Sequence, residues 1–518
     1  MTRDVAELAA GLDPIRDPRA VVAGERIHVV GAAGAGASAA ALLASGAGAI
    51  VTGCDAGGPS PYSEALMRAG IAVAWRHDAS HVTGPDRPDR LAVTKALTAV
   101  QPDHPELRAA RDAGIPIEPW QQLVADTAVG RTLVAVAGTH GKSTTAGWLV
   151  HVLVEAGLDP AAFVGALLPP ALTGGIASTA RPGGPDGPFV VEADEYAGNF
   201  DAYLPDLVVL TSVDWDHPDV FADQAATEAA FTSWLARPRN GRRLVLVANV
   251  ADAGVARVVA ALDASPVGAG DRRVRLVGTA LLGETDDAVP TSPDVAIAAR
   301  IVAAEPEATI VDLHGLDAAG PLRVRLRSAG RHNVANALGV AAAAHELGVP
   351  PGAIVDGLER FAGVGRRLER RGEAAGVVIY DDYGHHPTAI RATVAAVRQR
   401  QPGRRLWAVY EPLTFHRTAA MLPGFAAALA EADAVVIADI WAGRDPDTTI
   451  ASADSLAAAV RVIRPDIPVV APGSIDATAD WLAGHVRPGD AVLVMGGGRS
   501  YRIASGLLER LGGGEARP

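Results

Sequence analysis

The chain has 518 residues, too many for a single hydrophobic core, and this length predicts about three domains. Its formal net charge of −13 argues against a general nucleic-acid-binding protein, because such proteins need clustered lysine and arginine. The single cysteine, Cys54, excludes a disulfide framework and indicates a reducing, cytoplasmic compartment. We expect Cys54 to be a small buried residue beside a strand. The N-terminal segment shows no signal-peptide pattern, and we expect no membrane insertion.

The first predicted elements lie in residues 28–54, a segment without a charged side chain. Its pattern predicts a strand, a glycine turn at residues 31–36, a buried helix and a second strand. Such a turn presents backbone N–H groups at a helix N-terminus, where they can bind a diphosphate. Alternating strand and helix signals continue to about residue 127, which predicts a Rossmann-like first domain.

A second glycine turn follows the apolar strand pattern of residues 133–137. The sequence GTHGKSTT (residues 138–145) and an amphipathic helix come next, an order typical of phosphate-binding loops. Val136 stands where the first glycine of the Walker motif is expected, but Gly141, Lys142 and Ser143 keep the part that contacts phosphates and Mg²⁺. A turn that only connects a strand to a helix would not need Lys-Ser-Thr-Thr at the helix start. The pattern therefore predicts nucleotide binding.

Acidic residues end the next two predicted strands. EADEY (residues 192–196) closes one strand, and DWDHPD (residues 214–219) closes the other. In a parallel sheet, ligands bind at the carboxyl ends of the strands, so both acidic segments are expected beside the phosphate-binding loop. Acidic strand ends are often only solvated turns, but here Mg²⁺ ligation is the favoured interpretation.

The remaining pattern divides the chain into three α/β blocks, 1–127, 128–328 and 329–518. The Pro- and Gly-rich stretch 167–188 is interpreted as a surface loop within the second block. Residues 252–325 are interpreted as an extra small sheet of that block. The third block alternates strand and helix to the C-terminus.

Five motifs in order, GTHGKSTT, EADEY, DWDHPD, GRHNVANA and DDYGHHPT, resemble the signature of the Mur ligases. These enzymes form amide bonds in peptidoglycan precursor synthesis at the expense of ATP. The segments IHVVGAAGAGAS and GIAVAWRHDASHV are similar to the UDP-binding domain of that family, so the resemblance covers nearly the whole chain. It implies a Rossmann-like UDP-sugar-binding domain, a central P-loop ATPase-like domain and a C-terminal Rossmann-like domain that binds the amino acid.

The resemblance also implies roles for individual residues, with ATP and Mg²⁺ as cofactors. The implied catalytic residues are Lys142, Glu192, His217 and Arg367. The implied metal ligands are Ser143, Glu192 and His217. The implied nucleotide-binding residues are Gly138, Thr139, His140, Gly141, Lys142, Ser143, Thr144, His332, Asn333, Asn336, Arg366 and Asp382. The implied substrate-binding residues are Gly34, Gly36, Ser38, Asp55, His77, His385 and Arg417.

Three of these assignments predict where particular side chains lie in the folded protein. Asn333 and Asn336 would reach the adenine, although both could instead cap the helix that follows. Arg366 or Arg367 would approach the γ-phosphate. Asp382 would close the nucleotide from the third domain, which we expect to move as a unit.

The implied reaction has two steps. The carboxylate of UDP-N-acetylmuramate attacks the ATP γ-phosphate, and the amine of a small amino acid then displaces phosphate from the acyl phosphate. The sequence ADIWAGRDPD (residues 438–447) is similar to the alanine-adding branch of the family, so L-alanine is the expected acceptor. We expect a monomer or a weak homodimer.

Several positions depart from the family pattern. Ala33 stands where another glycine is usual, and Lys95 stands where small hydroxyl residues are usual. Lys95 could contact the diphosphate or be a solvated loop lysine. In EPLTFHRT, Leu413 replaces a histidine and Thr414 an arginine, while Arg417 stays in register. The closing MGGGRSY replaces a pattern close to MGAGD. The last two departures fall in the domain that holds the amine.

Three other functions remain as alternatives. A dinucleotide-binding oxidoreductase would use the first glycine turn and Asp55, but it leaves the second and third blocks unexplained. A recycling ligase would attach a whole tripeptide to UDP-N-acetylmuramate. A non-catalytic nucleotide sensor is disfavoured because Lys142, Ser143, Glu192 and His217 are all present.

Overall fold

The protein is described by a computed structural model that covers residues 5–98, 101, 103–237, 242–264, 274–283, 295–443, 445 and 447–512. It contains three sheets, one in each of three α/β domains, as the sequence predicts. Within these ranges, every helix is too short or too polar to cross a lipid bilayer.

The first domain is a parallel sheet of five strands in the order β3-β2-β1-β4-β5. The uncharged segment 28–54 forms the predicted strand, turn, buried helix and strand, and Cys54 is fully buried at the end of β2. The elements are α1 (Val5–Leu8), β1 (Arg26–Val30), α2 (Ala35–Gly46), β2 (Ile50–Cys54), α3 (Ser63–Arg68), β3 (Ala72–Ala74), α4 (Ser80–Thr83), β4 (Arg90–Val93), α5 (Lys95–Thr98), α6 (Pro105–Asp112), β5 (Ile117–Pro119) and α7 (Trp120–Thr127).

The second domain is built on a ten-stranded sheet in the order β15-β14-β13-β12-β11-β10-β6-β9-β7-β8. Its core strand β6 is fully buried between β10 and β9, as expected of a parallel strand covered on both faces. The elements are β6 (Leu133–Ala137), α8 (Lys142–Glu155), β7 (Ala161–Leu168), β8 (Ser178–Arg181), β9 (Phe189–Ala193), β10 (Leu207–Leu210), α9 (Gln224–Leu235), β11 (Leu244–Asn249), α10 (Ala253–Asp263), β12 (Val274–Leu281), β13 (Ile297–Ala304), β14 (Thr309–His314) and β15 (Leu322–Leu326), with short 3₁₀ helices at Pro170–Leu172 and Tyr196–Ala202.

Two expectations for this domain need correction. Residues 252–325 do not form a separate small sheet, because β12 pairs in parallel with β11 and extends the main sheet. Residues 265–273 and 284–294 of that segment lie outside the described residues. The stretch 167–188 is not only a loop, since β8 within it pairs antiparallel with β7.

Two helices that the sequence analysis placed in the third domain pack on the second. They are α11 (Arg331–Glu346) and α12 (Pro351–Arg360), and their apolar faces join the core around α8 and β6. The boundary expected at 328/329 therefore falls before these helices. We propose a boundary near Gly365, where the chain leaves this core.

The third domain is a six-stranded sheet in the order β16-β17-β21-β18-β19-β20, parallel except for β16. All the strands predicted from the third block form. The elements are β16 (Glu369–Ala374), β17 (Val377–Asp382), α13 (Pro387–Arg400), β18 (Leu406–Tyr410), α14 (Phe415–Ala420), α15 (Leu422–Leu429), β19 (Ala434–Ala438), α16 (Ala453–Ile463), β20 (Val469–Gly473), α17 (Ile475–His485), β21 (Ala491–Met495) and α18 (Tyr501–Arg510).

One apolar core runs through the first and second domains without interruption. It joins Ile27 and Leu43 of the first domain to Phe163 and Phe189 of the second. Helix α2 lies against β7 and β8 of the second sheet. The third domain instead has apolar clusters on the two faces of its own sheet.

Candidate active site

The phosphate-binding loop joins β6 to α8 through two glycines with left-handed backbone, Gly138 (φ 130°) and Gly141 (φ 82°). A Cβ on Gly141 would lie 2.5 Å from Oδ1 of Asn336, so a larger residue is excluded by space as well as by φ. The loop thus leads into the free N–H groups of the α8 N-terminus, which favour an anion. Thr144 lies half-buried in the first turn of that helix.

Lys142 begins α8 and points toward the acidic segment that follows β9. Its Nζ donates to Oε2 of Glu195 at 2.8 Å and lies 3.7 Å from Oδ1 of Asp194. Burial opposes the charge, but these carboxylates outweigh it and raise the pKa of Lys142 above its ordinary value. The lysine is therefore a permanent cation at the loop, as phosphate binding requires.

Ser143 connects the second domain to the third. Its hydroxyl donates to Oε1 of Glu192 at 2.9 Å and accepts from Nη2 of Arg367 at 2.7 Å. The other Glu192 oxygen accepts from the backbone N–H of Gly165 at 2.6 Å, which fixes the carboxylate. Of the two arginines considered for the γ-phosphate, Arg367 is thus the one beside the loop.

Two sets of donors near the loop suit a divalent cation. The first is the Ser143 hydroxyl with the Glu192 carboxylate, and the second is Asp194, Glu195 and His217, whose ligand atoms lie within 4.8 Å of one another. Carboxylate and hydroxyl oxygens are the ligands that Mg²⁺ prefers, with substrate phosphates completing its shell. The residues present therefore fit the metal that the motifs imply.

Arg417 reaches from α14 into the second domain and is 4% exposed. Its guanidinium donates to Oδ1 of Asp216 from Nε at 2.8 Å, and its Nη2 lies 3.1 Å from Nδ1 of His217. Burial opposes ionisation of Asp216, but Arg417 holds the pKa of that carboxyl well below its ordinary value. The one arginine expected to bind the amino acid thus lies in a closed contact between two domains.

A second contact between these domains surrounds His140. Its Nε2 lies 3.3 Å from Oδ2 of Asp214, an oxygen that also accepts from the hydroxyl of Thr388 at 2.7 Å. The rings of His140 and His386 lie 4.6 Å apart. Burial opposes ionisation of Asp214, but its hydrogen bonds from His140 and Thr388 lower the pKa to about 2. Thr139 also contacts Asp214, through two hydrogen bonds with its backbone.

Arg366 and Asp382 lie in the third domain and make contacts there rather than at the loop. Arg366 pairs with Asp381 at 3.1 Å and donates to Ser500 at 2.8 Å. The carboxylate of Asp382 accepts from the backbone N–H groups of Leu368 and Gly384, so it orders the segment that carries Arg367. Burial raises the pKa of Asp382.

The asparagines expected at the adenine lie in the first turns of α11, both 7% exposed. Asn333 donates to the carbonyl of Ala329 at 2.7 Å, and Asn336 donates to Oδ1 of Asn333 at 3.2 Å. Neither caps the helix, whose N-cap, Gly330, has no side chain to offer. His332 lies beside them, and burial lowers its pKa to about 4.

The first glycine turn differs in detail from the expectation for a diphosphate site. Gly34 is the N-cap of α2, but a Cβ on Gly36 would lie 2.2 Å from the ring of Trp120, so Gly36 is needed for packing. Asp55 accepts from the backbone N–H of Ala33 at 3.1 Å. Ser38 is fully buried, 3.3 Å from the hydroxyl of Thr179 in the second domain.

The structure also places Lys95 and His77 of the first domain, and the substrate-binding role of His77 stays a prediction. Lys95 is buried and donates to the carbonyl of Ala197 in the second domain at 2.7 Å, so the solvated-lysine alternative is wrong. His77 lies with Nδ1 3.3 Å from Sγ of Cys54, in a group of histidines beneath the turn.

The departures in the third domain lie next to each other. A Cβ on Gly497, in the MGGGRSY segment, would lie 2.9 Å from Cδ2 of Leu413. Leu413 therefore occupies space next to Gly497, at a position where the family pattern MGAGD has an alanine side chain. Thr414 has a left-handed backbone (φ 62°) and caps α14 by accepting from Arg417 N–H at 3.4 Å. His385 lies 3.9 Å from Asp216 through Nε2, close to the Arg417 contact.

Sequence reasoning missed several contributors. His386, Thr388 and Tyr383 follow β17, and Tyr383 packs 4.8 Å from the guanidinium carbon of Arg367. The side chains of His386 and Thr388 meet the second domain only in the folded arrangement. The available signal was DDYGHHPT itself, whose histidines and tyrosine come directly after a predicted strand.

Comparison with known proteins relates this geometry to a family. The model described as "Mur ligase family, catalytic domain" matches residues 26–132, and "Mur ligase, glutamate ligase domain" matches residues 366–498. UDP-N-acetylmuramate--L-alanine ligase of Roseiflexus sp. (strain RS-1) is 36% identical over 493 residues, covering 93% of this chain and 98% of that protein. The ligase of the same name from Kineococcus radiotolerans is 39% identical over 492 residues, covering 94% and 96%.

Solved structures agree on the fold. UDP-N-acetylmuramate-alanine ligase of Thermotoga maritima has a TM-score of 0.74 at 22% identity, covering 95% of this chain and 100% of that one. A murein peptide ligase of Psychrobacter arcticus has a TM-score of 0.68 at 24% identity, covering 96% and 100%. Because the sequence relatives are this similar over nearly their full length, the chain belongs to the Mur ligases, a family of ATP-dependent amide-forming enzymes.

Proposed function

We propose that this protein joins L-alanine to the carboxylate of UDP-N-acetylmuramate in the cytoplasm, using ATP and Mg²⁺. The observation that carries the proposal is the meeting of Lys142, Ser143 and Glu192 from the second domain with Arg367 from the third. The relatives that cover nearly the whole chain carry this activity in their names.

The residues act by position and charge. Lys142 and Arg367 provide two cations around the Ser143 hydroxyl, where negative charge accumulates as a phosphoryl group moves. Ser143 and Glu192 would hold Mg²⁺, which supplies further charge neutralisation when bound. No covalent nucleophile of the enzyme is needed, because the substrate carboxylate attacks the phosphate.

The acceptor site is proposed around Arg417. A guanidinium can bind an amino-acid carboxylate through two parallel hydrogen bonds. In the structure, Nε and Nη2 of Arg417 both approach Oδ1 of Asp216, at 2.8 and 2.7 Å. Leu413 makes the neighbouring wall apolar, which suits the methyl group of L-alanine. A tripeptide with several carboxylates would need more cations, yet Thr414 stands where the family has an arginine.

The direct test is ADP release by the purified protein with UDP-N-acetylmuramate and one acceptor at a time. The acceptors are L-alanine, glycine, L-serine and the murein tripeptide. We expect the highest kcat/KM with L-alanine. Turnover with the tripeptide and none with L-alanine would assign the chain to the recycling branch. Tight NAD(H) binding without ligation would instead support the oxidoreductase alternative.

Arg417 can be tested separately from its ion pair. Arg417→Ala should raise the KM for L-alanine by about tenfold to a hundredfold and leave the KM for ATP unchanged, because a charged hydrogen bond contributes about 1.5 to 3 kcal/mol. Asp216→Asn is the matched control, since it releases Arg417 without removing it. If Asp216→Asn raises the KM for L-alanine equally, Arg417 acts by joining the domains and not by binding the amino acid.

A further inference from the structure

A cluster of six metal-ligating side chains lies in the first domain, apart from the donors beside the phosphate-binding loop, and it includes the expected substrate-binding residue His77. Its members are His28 of β1, Cys54 of β2, His77 after β3, His81 of α4, His104 before α6 and Glu106 of α6. We propose that this cluster binds one zinc(II) ion, which holds the first domain together beneath the glycine turn. The proposal does not depend on the ligase activity.

Four of the side chains, those of His28, Cys54, His81 and Glu106, have ligand atoms within 4.8 Å of one another. Nε2 of His28 lies 3.4 Å from Sγ of Cys54 and 3.9 Å from Oε2 of Glu106. Sγ of Cys54 lies 3.0 Å from the same Glu106 oxygen, and Nδ1 of His81 lies 2.7 Å from the other. Zinc with bonds of about 2.0 to 2.3 Å needs ligand atoms roughly 3.3 to 3.8 Å apart, so small shifts convert these hydrogen bonds into coordination.

Charge and burial favour a divalent ion here. His28 is 2% exposed, and Cys54 and Glu106 are completely buried in an apolar cluster with Val82, Leu91 and Leu107. A buried carboxylate is costly unless a charge compensates it. A thiolate, a carboxylate, two neutral imidazoles and Zn²⁺ sum to zero, which makes this set suitable for an apolar interior.

Two further features of the cluster favour a bound ion, although His104 lies outside the set of four ligands. His104 is 2% exposed, and within the described part of the chain neither of its ring nitrogens has a hydrogen-bond partner. Its ring packs edge-on against His77 at 4.4 Å, with a nitrogen near Glu106. The other nitrogen of His28 bonds the Thr52 hydroxyl at 2.8 Å, the kind of support that orients a metal-bound imidazole.

The ion would connect the sheet to two helices and to the glycine turn. The four ligands come from β1 and β2, which pair with each other, and from the helices α4 and α6. The carbonyl of Cys54 accepts from the backbone N–H groups of Gly31 and Ala32, so fixing Cys54 also fixes the start of that turn. We therefore assign the ion a structural role.

The single cysteine of the chain makes a specific test possible. The metal-stripped full-length protein is titrated with Co²⁺, and absorption is recorded in the near ultraviolet, where thiolate-to-cobalt charge transfer appears. We expect the band to saturate at one equivalent and to disappear when one equivalent of Zn²⁺ is added. His217→Ala, which removes a donor in the second domain, should keep the band. Cys54→Ser should abolish it.

A second measurement uses the unmutated protein, so it remains informative if the Cys54→Ser variant folds poorly. The melting temperature of the unmutated protein should rise with the logarithm of free Zn²⁺, because the ion binds only the folded state. Glu106→Gln should weaken Zn²⁺ binding about tenfold or more while keeping the volume of the side chain. A titration without the charge-transfer band, or a melting temperature that Zn²⁺ leaves unchanged, would show that the cluster is a metal-free hydrogen-bond network.

Discussion

The two glycine turns of this molecule follow similar strands and lead into similar helices, yet their glycines serve different purposes. In the loop before α8, the Cβ that Gly141 lacks would meet Asn336, a polar residue of the proposed nucleotide site. In the turn before α2, the Cβ that Gly36 lacks would meet the ring of Trp120. The first glycine keeps a binding site open, and the second lets a helix pack closely.

The surrounding charges differ in the same way. Lys142 and Ser143, beside Gly141, contact Glu195 and Glu192 and are joined by Arg367. Near the other turn, Asp55 is bound to the backbone N–H of Ala33. A glycine pattern in a sequence therefore indicates a turn, while the polar side chains around it decide whether the turn performs chemistry.

The largest effect should come from the loop before α8. Lys142→Ala should lower kcat/KM for ligation about a thousandfold, or about 4 kcal/mol, because it removes a cation from the site of charge transfer. The measurement is ADP release, with circular dichroism to confirm folding. Glu155→Gln, at the far end of the same helix and paired only at the surface, should retain activity. Near-normal ADP release by Lys142→Ala would remove the distinction between the two turns.

Acid should lower the stability of the folded protein through His386, which lies at the contact between the second and third domains. This side chain is 6% exposed, accepts from Thr388 N–H and contacts the carbonyl of Trp215, and burial lowers its pKa from 6.5 to about 4. The unfolded chain then binds the proton first, so stability falls as the pH decreases from 6.5 to 4. This pKa shift contributes about 3 kcal/mol to the free energy of unfolding at neutral pH.

The measurement for this second prediction is urea unfolding at pH 7.5 and pH 4. His386→Asn keeps an acceptor at the helix N-terminus but cannot titrate. Its stability difference between the two pH values should be smaller than that of the unmutated protein by about 3 kcal/mol. Equal differences for both proteins would show that His386 does not control this acid sensitivity.

The smallest effect should come from the turn before α2. Gly36→Ala should destabilise the protein by about 1 to 3 kcal/mol, because the added methyl group overlaps the ring of Trp120. Gly34→Ala is the matched control, since its Cβ would approach only the carbonyl of Gly31 at 3.4 Å. Thermal unfolding of both variants compares them. If Gly34→Ala is the more damaging change, packing is not the reason for the glycine at 36.

Sequence patterns predicted most of the secondary structure, because buried parallel strands such as β6, β18 and β21 are short apolar runs bounded by glycine or acidic residues. They also brought Lys142, Ser143 and Glu192 to one place, since strand ends meet at one edge of the sheet. Contacts between domains could not be predicted this way. The choice of Arg367 over its neighbour Arg366 depends on which side chain faces the second domain, and adjacent residues share the same local pattern.

The domain boundary illustrates the same limit. Helices α11 and α12 follow the motif GRHNVANA and resemble the start of a new α/β block. Their apolar residues could cover either sheet, and only the three-dimensional arrangement shows that they cover the second. Periodicity identifies a buried face, but it does not identify what lies against that face.

The apolar core shared by the first and second domains has a consequence for heat denaturation. Separating these domains would divide this core and expose apolar surface where α2 lies against β7 and β8 and where Trp120 packs on Phe163. Their unfolding should therefore be one cooperative calorimetric transition, with a separate endotherm for the third domain. A ligand bound only to the first domain would then raise the melting temperature of the second domain as well.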